Sequence, residues 1–194
     1  LDRKSSSPAG TTPTPDTRAG ESNENKMTAR SHRFDVPSII VTGGGSRGKI
    51  GEIAQELGAS RVLLVTDPGV VELGFVSEIE SILIEAGCEV KVFDDVQPDP
   101  TDLNVAAGVK ALHEVDADLV VALGGGSPID TAKVIAIRPA NPEPLSEFMG
   151  LHKIGRPGIP LVAIPTTAGT GSEATKVAVI TDTEREIKMM MLSA

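Results

Sequence analysis

The 194-residue chain is 40% apolar, enough for one domain with a core of ordinary size. A formal charge of -9 argues against a phosphodiester backbone as the main partner, and four Phe with no Trp or Tyr leave little for base stacking and require an aliphatic core. The single cysteine, Cys88, rules out an intrachain disulfide and points to the reducing cytoplasm, and no apolar run reaches membrane-spanning length.

The first 26 residues are almost entirely Ser, Thr, Pro, Gly and charge, with too little apolar surface to offset the entropy of ordering. They lack the apolar stretch of a secretory signal, and Asp2, Asp16, Glu21 and Glu24 do not suit a transit peptide. Residues 1–33 are read as a disordered tail or a cloning remnant, and 34–194 as the folded domain.

The first strand candidate, residues 38–42, runs into "GGGSRGKIG". Gly43, Gly45 and Gly48 satisfy the dinucleotide fingerprint G-x-G-x-x-G, whereas Ile50 replaces the hydroxyl that a P-loop needs after Lys49. The next strand, 61–66, delivers Asp67, about twenty residues past the last fingerprint glycine, where a carboxylate commonly meets an adenosine ribose. Before Pro68 and Gly69 the same Asp also suits an ordinary turn. Phe75, Val76, Ile79, Ile82, Leu83 and Ala86 form the core stripe of a helix that Gly87 ends. Strand 89–93 follows. Thr101 caps a helix from Asp102 to about Val115, behind the helix-hostile "PDP".

Strand 119–123 enters the second glycine run, "GGGSPIDTAK", with Pro128 in the first turn of a further helix. Glycines admit an anion to the backbone, and the helix start and the Ser127 hydroxyl supply donors. Asp130 would bond to loop N–H groups and shape the turn, and Lys133, one turn on, would offset phosphate charge. A tight strand-to-helix turn accounts for the glycines equally well. Strand 161–164 then delivers the hydroxyl-rich "PTTAGTGSE", which offers uncharged donors or is simply a surface loop. Strand 176–181 and the apolar stretch before "LSA" close the chain. The strands are continuous Val/Ile/Leu/Ala runs, as expected when both faces are buried. Alternating with helices, they predict an α/β fold with a doubly wound, mostly parallel, Rossmann-like sheet. Ligands bind such sheets at the strands' carboxyl ends, where both glycine runs would lie.

"GGGSPIDTAK" followed about forty residues later by "PTTAGTGSE" resembles the iron-containing (group III) alcohol dehydrogenases. "VTD" at 65–67, "PDPT" at 98–101 and "ITD" ahead of Lys188 fall in the family's order, so the likeness runs from about Phe34 to Leu192. Ala174 stands where the family often has Val. The resemblance implies an NAD-binding α/β domain followed by a helical metal-binding domain. It moves the pyrophosphate to Gly125, Gly126 and Ser127, supported by Asp130, and leaves 43–48 as a turn into the first helix. It implies that Asp67 bonds the adenosine ribose, where its charge would favour NAD over NADP, with Asp99 near that adenosine end of the site. Thr166, Thr167 and Thr170 would line the adenine, phosphate and ribose path, and Val179 and Lys188 would reach the nicotinamide-side ribose and carboxamide.

The family's Fe²⁺ or Zn²⁺ is held by an Asp and several His of its C-terminal domain. The three histidines of this chain, His32, His113 and His152, form no i, i+4 pair, so neither a metal ligand nor a catalytic residue is assigned within it. The expectation is the coenzyme-binding part of a longer NAD- and metal-dependent alcohol dehydrogenase, inactive alone and homo-oligomeric. Its partners would be NAD(H) and a small alcohol or aldehyde, with no nucleic acid and no membrane. Dehydroquinate synthases and glycerol dehydrogenases share the scaffold but resemble these loops less closely. A non-catalytic nucleotide-binding module is the remaining alternative.

Overall fold

The structure, a computed structural model, describes residues 39–192. The assignments made for residues 1–33, together with Ser38, lie outside them. Four strands build the main sheet: β1 (Arg61–Val65), β2 (Glu89–Phe93), β3 (Leu119–Gly124) and β5 (Leu161–Pro165). Their order is β2-β1-β3-β5 and every pairing is parallel. The helices are α1 (Ile50–Glu56), α2 (Pro68–Glu72), α3 (Phe75–Glu85), α4 (Asp102–Val115) and α5 (Gly126–Ile137).

Alternation along β1 and β3 divides the core between the two faces. Val62, Leu64, Val121 and Leu123 point to one side and meet Ile50 of α1 and Ile79 and Leu83 of α3. Leu63, Val65, Val120 and Ala122 point to the other and meet Leu112 of α4 and Ile129 and Ile135 of α5. This is the doubly wound arrangement that the strand–helix alternation predicts. The expectation of burial on both faces holds for β3, whereas β2 at the sheet edge has exposed positions. The predicted caps form as well. Thr101 and Asn104 make a reciprocal capping box at α4, and the stripe from Phe75 is α3.

Two expectations are overturned. Residues 39–42 form no strand, and Ile39, Ile40 and Val41 are exposed. Chemically they suit a strand, but they pair with no other described strand. Residues 176–181 do not join the parallel sheet. They become β6 (Val177–Asp182), antiparallel to β7 (Ile187–Leu192), in a second sheet of order β4-β7-β6 in which β4 is Gly150–Leu151. Ala178, Ile180, Met189 and Met191 pack with Val105 of α4 and Val134 of α5. Helix α5 therefore lies between the two sheets, with seven of its residues buried. Among the described residues no helix is long and apolar enough to cross a membrane.

Candidate functional site

The glycine run at the carboxyl end of β3 is built by close approach. Gly124 has φ +150°, and a Cβ there would lie 2.7 Å from Pro128 and 3.2 Å from Asp67 Oδ2. A Cβ on Gly125 would lie 3.1 Å from Thr167 Oγ1, and one on Gly126 would lie 3.6 Å from Thr170. Asp67, Gly125, Gly126, Thr167 and Thr170 thus surround one turn. Asp67 also caps α2, its Oδ1 accepting the Val70 N–H at 3.0 Å. The Thr66 hydroxyl donates to Leu123 O at 2.8 Å and holds the ends of β1 and β3 together.

Beyond this turn lies a cleft of about 210 Å³. Gly126, Ser127 and Asp130 of α5 form one wall, Val179 and Thr181 of β6 with Lys188 of β7 another, and Asp99 with Pro100 the rim. The first N–H groups of a helix have no intrahelical acceptor, so α5 presents its start to the cleft. Lys188 Nζ lies 2.5 Å from Asp99 Oδ1, and Asp99 takes the left-handed φ of 54°. Backbone bonds fix this rim: the Thr181 N–H donates to Pro100 O at 2.8 Å, and the Thr183 N–H donates to Asp102 Oδ1 at 3.2 Å.

Asp130 does shape the site, but not by bonding to the glycine turn. Its Oδ2 accepts the Val179 N–H at 3.0 Å, and its Oδ1 accepts from the Ser172 hydroxyl and from Lys133 Nζ. Lys133 does not reach toward a phosphate as its spacing implied. The ammonium is largely buried and donates to Val177 O at 2.6 Å, to Ser172 Oγ at 3.1 Å and to Asp130 Oδ1 at 3.4 Å. Burial pushes its pKa down, opposed by Asp130 and Glu173.

Of the residues singled out in the sequence, Asp99, Gly126, Ser127, Asp130, Val179 and Lys188 meet at the cleft. Asp67, Gly125, Thr167 and Thr170 adjoin the neighbouring turn. Thr166 is apart: its N–H extends the β5 ladder to Gly124 O at 2.9 Å, and it lines a broad cavity along the outer edge of β5. Gly124, Pro100 and Thr181 carry no expectation of their own, although Gly124 is the first glycine of its run; Ser172 belongs to the hydroxyl-rich "PTTAGTGSE", and its partners are Asp130 and Lys133. The first glycine run does not lie at a strand end within the sheet. A Cβ at Gly43, Gly44, Gly45 or Gly48 would meet nothing within 4 Å. Arg47 there pairs with Glu78 at 2.9 Å and stacks over Phe75 of α3.

Among the described residues no group of three or more His, Cys, Asp or Glu could hold a metal ion. His113 and His152 are both exposed, and His32 lies outside the described residues. The Fe²⁺ or Zn²⁺ implied by the family resemblance therefore has no ligand set among them.

The family profile "Iron-containing alcohol dehydrogenase" matches residues 37–194. The NAD-dependent methanol dehydrogenase of Bacillus methanolicus is 40% identical over 159 residues, which is 82% of this chain and 42% of that protein. The crystal structure of a 1,3-propanediol oxidoreductase superposes with a TM-score of 0.82 at 38% identity, covering 84% of this chain and 43% of that one. Sulfoacetaldehyde reductase from Bifidobacterium kashiwanohense, solved in complex with NAD⁺, superposes with a TM-score of 0.75 at 28% identity, covering 84% of this chain and 43% of that one. The chain thus spans under half the length of these relatives, matching their N-terminal portion. It belongs to the iron-containing alcohol dehydrogenase family.

Proposed function

We propose that this chain is the coenzyme-binding part of an NAD(H)-dependent alcohol dehydrogenase. The observation that carries the reading is the meeting of Gly126, Ser127, Asp130, Val179, Lys188 and Asp99 at one cleft, at the start of α5 and beside the carboxyl ends of β1 and β3. In this reading the pyrophosphate lies against Gly125, Gly126 and Ser127, where free N–H groups and the helix dipole favour negative charge. The Asp67 carboxylate accepts from the adenosine ribose hydroxyls and repels a 2′-phosphate. Thr167 and Thr170 flank the adenosine side. Val179 and Lys188 face the nicotinamide half, where the Lys188 ammonium can donate to ribose or carboxamide oxygens; Asp99, expected at the adenosine end, goes with them in this reading because it pairs with Lys188 at 2.5 Å.

The coenzyme accepts or returns a hydride, and the residues of this chain bind it, orient its ring and displace water from it. The substrate belongs to the class of small alcohols and aldehydes. The family's metal would be held by residues outside those described, so the chain by itself binds coenzyme without turning over alcohol. Titration with NADH tests this directly, because the chain has no Trp or Tyr to compete with the nucleotide's fluorescence. Saturable binding of NADH, tighter than that of NADPH, is the expected result. A folded chain that binds neither nucleotide would defeat the reading, and metal-dependent alcohol oxidation by this chain alone would defeat the division of labour.

A further inference from the structure

Lys133 is the most deeply buried cation described around the cleft, and nothing in coenzyme binding uses it. An ammonium has three N–H donors, and all three are occupied. Val177 O takes one at 2.6 Å, Ser172 Oγ one at 3.1 Å and Asp130 Oδ1 the third at 3.4 Å. The acceptors come from three places: α5 itself, the loop after β5, and the start of β6. Ser172 passes its own hydroxyl proton's bond on to Asp130, and its N–H donates to Thr170 Oγ1 at 3.3 Å. Asp130, held by both, accepts the Val179 N–H with its other oxygen at 3.0 Å. The cluster therefore joins the helix that starts at the glycine turn to the strand that carries Val179 and Thr181.

We propose that Lys133 is a positioning residue that sets the nicotinamide side of the cleft: it clamps β6 onto α5 through Val177 O, Ser172 and Asp130, and never touches the coenzyme. The proposal rests on the NAD(H) placement above. In that placement the adenosine and pyrophosphate are held by β1, the glycine turn and the start of α5, packed on the main sheet, and the cluster's bond toward that side, from the Ser172 N–H to Thr170 Oγ1, is a backbone donor that neither Lys133→Met nor Ser172→Ala removes. The nicotinamide half depends on where β6 and β7 sit. Loss of the clamp should therefore weaken binding of the whole dinucleotide while sparing its adenine half. Burial supports the assignment, since desolvation lowers the Lys133 pKa and a group kept charged in such a place needs all its donors satisfied.

The test is Lys133→Met in the 194-residue chain, which keeps the length of the side chain and removes the ammonium. NADH is titrated by fluorescence and ADP by calorimetry. Expected is a rise of about tenfold or more in the Kd for NADH, with that for ADP unchanged within about twofold. Ser172→Ala keeps the ammonium and removes only the bridging hydroxyl, and should show the same pattern at about threefold. If Lys133→Met does not fold, Ser172→Ala decides with the same two ligands. Variants that lose NADH and ADP equally, or lose neither, overturn the clamp while the coenzyme reading stands. A wild-type chain that binds neither nucleotide overturns both.

Discussion

Asp67 caps α2 and, in the proposed coenzyme placement, also meets the ribose, and one substitution can separate the two. Its Oδ1 caps α2 through the Val70 N–H, while Oδ2 faces the glycine turn. Asn caps a helix about as well as Asp but carries no charge. Asp67→Asn should therefore keep its thermal midpoint and lose discrimination against the 2′-phosphate. The ratio of NADPH to NADH Kd is expected to fall about tenfold, the size of one removed like-charge contact near 1.4 kcal/mol. Asp67→Ala should show the same change in ratio and lose about 1 kcal/mol of stability with the cap. Paired nucleotide titrations and melting curves check both, and an unchanged ratio in Asp67→Asn would take the ribose away from this carboxylate. The position of Asp67 was legible because strand, Asp and Pro68 follow one another locally. The partners of Lys133 were not, because Ser172 and Val177 are brought to it by the loop after β5 and by the second sheet, and no local spacing encodes either.

The two glycine runs show how an element's context outranks its motif. "GGGSRG" fits the dinucleotide fingerprint better than "GGGSPI", but the fingerprint needs a strand of the sheet before it. Residues 39–42 are exposed and unpaired with any described strand, and the glycines after them have open space around them. The second run follows β3, buried along its whole length, and enters a twelve-residue helix. Gly126→Val should raise the NADH Kd about tenfold or more by filling the approach to the turn, where Thr170 already lies 3.6 Å from the Cβ position. Gly45→Val takes on strain of about 1–2 kcal/mol at φ +76° but should leave binding within about twofold. Folding of both is checked first by circular dichroism. If only Gly45→Val loses NADH, the phosphate belongs to the first turn after all. The strand predicted at 176–181 forms as β6, but its place in a second sheet was hidden for a related reason. Its buried Ala178 and Ile180 alternate with Val177 and Val179, which are apolar too, so the period of two that marks a half-buried strand is hidden.

At the scale of the whole molecule, the proposed coenzyme cleft lies at one end of the sheet and a carboxylate whose pKa is pushed down lies at the other. At the amino-terminal ends of β1 and β3, Asp118 accepts the N–H groups of Ser60 at 3.0 Å and Arg61 at 2.9 Å and the Ser60 hydroxyl at 2.8 Å. Burial pushes this carboxyl's pKa up, but the donors and the Arg61 charge outweigh it, and the net shift is downward. A carboxylate with a depressed folded pKa binds protons more readily in the unfolded chain. Its stabilisation is therefore full above the unfolded value and is lost as pH falls through the folded one. Asp118→Ala should cost about 2 kcal/mol at pH 7, since several hydrogen bonds to a charged group are lost from a side chain that still sees solvent. Removing one negative charge from a chain of net -9 works the other way, but screening at physiological salt keeps that gain well below the loss. The deficit in urea midpoint should hold from pH 7 to about 5 and shrink below pH ~4, because protonation then removes from the wild type what the substitution removed from the variant. A deficit that stays constant down to the lowest pH at which the wild type remains folded would show that Asp118 acts through packing and not through its charge.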